Sequence, residues 1–179
     1  EMDGGIDPRI LKTFKKVNKI MLKAYERKEE AWPGKMKYRA IVWSCPAHYY
    51  ANFSNWLANC WGIDVLVEME SLNFTKPLET EDKEEALRDL ARLYERMVMR
   101  RHTNGGYQNV VDELWRQCEA WNANFVIMYQ HVACKNMATV QGILDEQGRE
   151  RGLHMIWVEH DLMDPRTVSR SSMRAKVTE

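Results

Sequence analysis

The sequence has no excess of charge of either sign: 26 Lys and Arg balance 26 Asp and Glu, a formal net charge of zero. A general nucleic-acid binder would carry a basic surplus or a basic stripe, so that class is excluded. No uninterrupted apolar run is long enough to span a bilayer, and no charged-then-apolar leader opens the chain, so no membrane partner is expected. Cysteine is sparse. Cys45, Cys60, Cys118 and Cys134 form no CxxC pair, and the five histidines stand at no zinc spacing from them. So few thiols in 179 residues do not make a disulfide scaffold, and the reducing cytoplasm is the expected location. No Gly-rich dinucleotide fingerprint follows a strand, and neither a Walker-type GKS or GKT nor an HExxH is present.

What is present suits one folded domain. Apolar residues make up 45% and charged residues 29%, a balance that rules out disorder and collagen-like structure. Seven Trp, seven Tyr and eleven Met suit a core and a partner-facing surface of adaptable side chains. The chain starts at Glu1 without an initiator Met and stops inside a helical pattern at Glu179, which reads as a piece of a longer protein.

Asp7-Pro8 opens an amphipathic helix to about Lys28, with Ile10, Leu11, Phe14, Val17, Met21 and Tyr25 on one stripe. Trp32-Pro33-Gly34 ends it. Residues 38–43 make an apolar strand stopping at Ser44-Cys45-Pro46. A helix from His48 to Cys60 presents Phe53, Trp56, Leu57 and Cys60 on one face, and Gly62 leads into a second strand, 63–68. Thr80 opens a long helix with an acidic first turn and a basic last turn, its buried stripe being Leu87, Leu90, Tyr94, Met97 and Val98. His102-Thr103-Asn104-Gly105-Gly106 is a strong break before a helix from Tyr107 to Trp121. That helix turns Val110, Val111, Leu114, Cys118 and Trp121 inward. A third strand over 124–129 runs through His131 and Cys134 into a helix to about Arg151. Gly152 caps that helix, a fourth strand covers 154–158, and a last helix begins near Ser169. Four apolar strands separated by helices predict an α/β fold with a doubly wound, mainly parallel four-stranded sheet. Helices lie on both faces in the Rossmann or flavodoxin manner, with residues 1–35 a lead-in helix and 36–179 the α/β domain.

In such a sheet ligands bind beyond the carboxyl ends of the strands, where strand order reverses. The ends to inspect are Ser44-Cys45-Pro46, Met69-Glu70-Ser71, His131 to Asn136, and Glu159-His160-Asp161. Cys134 stands between a strand and a helix N-terminus, where amides and the helix dipole favour a thiolate, and Lys135 adds positive charge. The alternative is an inert core thiol, the usual state of a free cysteine. Cys60 and Cys118 read as core, and Cys45 as a ligand or a structural turn. Arg100, Arg101 and Arg166 would suit phosphates, although the first two also suit a helix C-terminus. These residues mark one edge and name no reaction.

The last third goes further. An apolar strand, His131-x-x-Cys134-Lys135, a helix, a strand ending in Glu159-His160-Asp161, then Asp164-Pro165-Arg166 and Ser169 resembles the C-terminal domain of the 2-hydroxyacyl-CoA dehydratase / benzoyl-CoA reductase family. Tyr38-Arg39 opening the first strand and the turn at Asn104 fall in the same order, so the resemblance spans about residues 36–179. It implies an iron–sulfur subunit of two such domains, with a [4Fe-4S] cluster held by three cysteines. One of the three matches Cys134, with Lys135 beside it; the other two come from an N-terminal half that would precede Glu1. Implied partners are a second homologous iron–sulfur subunit, an ATP-dependent activator protein that donates an electron, and an acyl-CoA substrate. Asn104 and Gly105 match a loop that approaches the CoA thioester. The implied reaction is one-electron, ketyl-radical dehydration of an (R)-2-hydroxyacyl-CoA to an enoyl-CoA. The alternatives are a benzoyl-CoA reductase subunit and a non-catalytic α/β module that lost the cluster.

Overall fold

The central strands carry unbroken apolar stretches, Ala40–Trp43 and Val126–Tyr129, because helices cover both of their faces. The computed structural model describes residues 8–27, 36–72 and 80–179. In it β1 (Tyr38–Trp43) and β3 (Phe125–His131) lie side by side, with β2 (Ile63–Glu68) and β4 (His154–His160) at the edges, in the order β2-β1-β3-β4. Every pairing is parallel. The α/β fold expected from the strand and helix alternation is therefore the fold observed. The entry to β3 is clamped to β1 by Asn124, whose Oδ1 accepts the Arg39 amide at 2.8 Å and whose own amide donates to the Arg39 carbonyl at 2.8 Å.

One face of the sheet is Ala40, Val42, Ile127, Tyr129 and Val158, packed with Tyr50, Phe53, Leu57 and Met173. The last four come from a 3-10 turn (His48–Tyr50), α2 (Phe53–Trp56), a π turn (Leu57–Trp61) and α7 (Arg170–Thr178). The other face is covered by α5 (Gly106–Ala120) and α6 (Lys135–Glu150), which bury Val111, Leu114 and Leu144. Trp157 Nε1 donates to Asp145 Oδ1 at 2.6 Å, tying α6 to β4, and Trp115 Nε1 donates to Gln147 Oε1 at 2.6 Å, tying α5 to α6.

The chain divides into two compact units, residues 1–34 with 73–101 and residues 35–72 with 102–179. The second unit contains the whole sheet. The first contains α1 (Pro8–Glu26), α3 (Lys83–Arg96) and the start of α4 (Val98–Asn104). No helix among the described residues is long and apolar enough to cross a membrane.

Several local expectations need correction. The helix expected over 48–60 is broken into three short pieces, and the widened π turn rotates Cys60 off the buried face into solvent. The long helix begins at Lys83, with Asp82 rather than Thr80 as its cap, accepting the Glu85 amide at 2.8 Å. Thr80 donates instead to the Glu85 carboxylate at 2.7 Å. The helix stops at Arg96 because Met97 is extended (ψ 140°), and it resumes as α4. The break expected over residues 102–106 therefore shrinks to Gly105, and Gly106 starts α5 with φ +70°, a conformation that suits glycine. Of the expected buried stripe only Val98 is fully buried; Leu87, Leu90 and Tyr94 are exposed, as are Trp121 and the α1 residues Ile10, Phe14, Val17 and Met21. The turn at Trp32-Pro33-Gly34 and the Asp7 cap lie outside the described residues. Gly62 and Gly152 end their elements in the left-handed conformation, at φ 66° and 68°, as their sequence positions imply.

Candidate functional site

With β1 between β2 and β3, the connection out of β1 runs one way to β2 and the next strand lies on the other side. Strand order therefore reverses between β1 and β3, and the crevice beyond their carboxyl ends is where an open α/β sheet binds ligands. Cys45 follows β1 and Cys134 follows β3, so the two thiols flank this crevice.

Cys134 is half-buried at the N-cap of α6. Its amide donates to the His131 carbonyl at 2.8 Å and its carbonyl accepts the Ala138 amide at 3.2 Å. Its side chain makes no capping bond, so Sγ is not spent on the helix. Lys135, the first residue of α6, is exposed.

Ser44 leaves β1 with φ 71°, a left-handed conformation that a serine adopts only against strain. Cys45, next to it, is half-buried, and its thiol is pushed up to about 11 by burial, by a hydrogen bond to the Glu70 carboxylate and by that carboxylate's charge. Cys134 adds a smaller push in the same direction. Glu70 stands in the turn after β2 (Met69–Leu72), so the ends of β1, β2 and β3 each contribute one group.

The end of β4 supplies His160. Its side chain is 0% exposed, and neither ring nitrogen has a hydrogen-bond partner among the described residues. Its ring meets those of Tyr129 at 5.3 Å and His131 at 5.8 Å, both edge-on. Burial pulls its pKa down and the His131 charge adds to this, against an upward bias from the backbones of Asp161 and Cys45. His131 is differently placed, since its Nδ1 accepts the Ala133 amide at 3.1 Å. Beyond β4, Asp161 Oδ1 accepts the amides of Met163 and Asp164 at 2.8 and 2.9 Å, which holds its carboxyl below the usual range. Arg166, weighed above as a phosphate ligand, has its guanidinium bound to the Asp164 carboxylate at 2.7 and 2.8 Å.

Asn104, the last residue of α4, and Gly105 are exposed. The His102 ring lies 5.7 Å from that of Trp43, the last residue of β1, so the α4–α5 junction sits at the same edge of the sheet. Cys118 is buried in α5, its thiol pushed up to about 12 by burial, which fits the core reading.

The sequence ranked Cys134 first and left Cys45 undecided. It missed Glu70 and His160 as neighbours of these thiols, although both stand at the strand ends already singled out. A family model described as "2-hydroxyglutaryl-CoA dehydratase, D-component" matches residues 7–179. The chain belongs to that family. No curated protein matches it. Membership of the 2-hydroxyglutaryl-CoA dehydratase D-component family makes the chain a component of a multi-subunit, dehydratase-type enzyme acting on CoA thioesters. In this D-component chain no three His, Cys, Asp or Glu side chains among the described residues gather in a metal-holding arrangement. Thiolates are the ligands iron–sulfur clusters use. Cys134, with its sulfur unused by the cap and a helix N-terminus behind it, fits one such position. Cys45 is already hydrogen-bonded to the Glu70 carboxylate, whose negative charge disfavours a second anion beside it.

Proposed function

We propose that this chain is the C-terminal α/β domain of an iron–sulfur subunit that dehydrates an (R)-2-hydroxyacyl-CoA to the enoyl-CoA by one-electron chemistry. The observation that carries the reading is the position of Cys134, at a helix N-cap beside the crevice where strand order reverses, in a chain of the dehydratase family. When bound, a [4Fe-4S] cluster would supply the low-potential electron and an open iron for a substrate oxygen. Cys134 would supply one thiolate, and two further cysteines would come from another domain of the subunit. The amides of the first turn of α6 would face the anionic cluster, where the helix dipole favours negative charge. Lys135 would add a positive charge next to it. The exposed Asn104-Gly105 junction, at the same edge of the sheet, is the candidate for approach to the CoA thioester. The proposed partners are a second homologous subunit and an ATP-dependent activator protein that delivers the electron, in the cytoplasm.

The test is anaerobic iron and sulfide analysis with EPR on the full-length subunit and its co-purifying partner, wild type against Cys134→Ala. The expected result is a cluster signal that is lost with Cys134 while the far-UV circular dichroism is retained. Full iron content and turnover in Cys134→Ala would sink the ligand assignment. Assay with a 2-hydroxyacyl-CoA and with benzoyl-CoA then separates dehydration from ring reduction, and a wild-type protein with no cluster leaves a non-catalytic module.

A further inference from the structure

A strand residue points its N–H and C=O to one side, and successive residues alternate. The His160 carbonyl accepts the Val132 amide at 3.0 Å just beyond β3, so His154, Ile156, Val158 and His160 turn their backbone groups towards β3. Met155, Trp157 and Glu159 then turn theirs outward, along the open edge of the sheet. Among the described residues nothing hydrogen-bonds to that outer row. The opposite edge is built differently. There β2 meets β1 with a register shift between Ala40 and Ile41, whose partners are Val65 and Val67, and an irregularity of this kind blunts an edge against further pairing. By contrast β4 follows β3 in unbroken register from His154 to His160 and lacks the bulge, proline and lysine that commonly protect an edge. Beside it runs a groove of about 520 Å³, lined by Gln141 of α6, by Lys176 and Val177 of α7, and by Met155, Trp157 and Glu159.

We propose that this edge is the contact between two copies of the chain, their sheets joined into one by antiparallel β4–β4 pairing about a two-fold axis at Trp157. Turned end for end on that axis, a second β4 sets Trp157 opposite Trp157 and Met155 opposite Glu159, so each outward N–H and C=O meets a counterpart. Registers centred on Ile156 or Val158 leave part of the row unmatched. The same register brings Ile156 opposite Val158, an apolar cross-strand pair on the face packed by α7. The charges agree with it. Glu159 is exposed, and no cation pairs with it among the described residues. In the pairing its carboxylate comes to the amino end of the other β4, where the exposed His154 and Lys176 line the groove. Lys176 stands in the last turn of α7, which starts beyond the carboxyl end of β4 and packs back along it, and it meets Glu179 of its own chain at 3.1 Å. This inference is independent of the iron–sulfur reading, because it uses only backbone register and surface charge.

The experiment co-expresses two differently tagged copies of the full-length subunit and asks whether capture of one tag retains the other. The wild type should show this co-capture. With Glu159→Pro in both copies it should fall to background while the melting temperature and far-UV circular dichroism are retained, because the N–H removed there faces outward and bonds nothing within the sheet. Glu159→Lys should also weaken co-capture by setting like charges together, and adding Lys176→Glu should restore it. Wild-type protein without co-capture overturns the proposal, the edge then serving a different strand or none. Co-capture that survives Glu159→Pro overturns it as well, because the copies then meet through another surface. Should Glu159→Pro fail to fold, the charge reversals decide: unchanged co-capture in Glu159→Lys, or a double variant no better than the single one, overturns the proposal.

Discussion

His160 holds two consequences in one side chain, because the burial that leaves its nitrogens unmatched also disfavours its charged form. Its folded-state pKa lies below the ordinary 6.5, pulled down first by burial and then by the His131 charge. The unfolded chain therefore takes up the proton at a higher pH than the folded chain does. Stability from this group is complete above pH 6.5 and is lost as the pH falls from there towards the lowered folded value. Urea unfolding of the wild type and His160→Phe between pH 7.5 and 5 checks this, the expectation being a stability difference that narrows towards acid. A constant difference would mean that the imidazole titrates alike in both states. Cys45 shows the same physics with opposite sign: burial and the Glu70 carboxylate push its thiol up to about 11, so it stays protonated near neutral pH.

Among the elements, the junction of α4 and α5 shows how two adjacent glycines differ. Gly105 has φ −113°, open to any residue, and a Cβ there would meet only the side chain of Asn109, whose nearest atom would be 1.5 Å away. That exposed side chain would have to shift. Gly106 has φ +70° with open space around it, so an added Cβ is strained by the backbone and not by a neighbour. Gly106→Ala should cost about 1–2 kcal/mol in urea unfolding, against a smaller loss for Gly105→Ala. The reverse order would mean that packing against Asn109, not the left-handed backbone, governs this turn. The same comparison bears on function: Gly105→Ala, the milder change for folding, is the better probe of acyl-CoA binding.

At the scale of the molecule, the stability of the sheet unit rests on two strands that are buried from both sides. Ile127 is 0% exposed at the centre of β3, between Val42 on β1 and Ile156 on β4. Ile127→Ala should therefore lose about 2–5 kcal/mol of unfolding free energy, the range for a large-to-small change that leaves a cavity. A loss under about 1 kcal/mol would show that the sheet collapses around the gap. The same burial holds the strand ends in place, so this substitution should also loosen the Cys134 edge. In the other unit, α1 and α3 are amphipathic yet keep Ile10, Phe14, Val17, Leu87, Leu90 and Tyr94 exposed, so their periodicity made the helices without settling what their apolar stripes meet.

Local chemistry alone determined a good deal of this protein. The apolar runs at 38–43 and 63–68 became β1 and β2 at those bounds, and Gly62, Gly152, Cys134 and Ser169 end or begin their elements where the sequence put them. Caps, turns and periodicity act over a few residues, so the sequence carries them openly. It also contained the family pattern that the match over residues 7–179 bears out. Only the tertiary structure decided the strand order β2-β1-β3-β4 and, with it, that Cys45, Glu70, Cys134 and His160 share one edge. Those neighbours come from four strand ends far apart in the chain, fixed by pairings such as Arg39 with Asn124, 85 residues away. The break at Met97 and the outward turn of Cys60 were equally hidden, because both come from backbone geometry that the spacing of apolar residues does not encode.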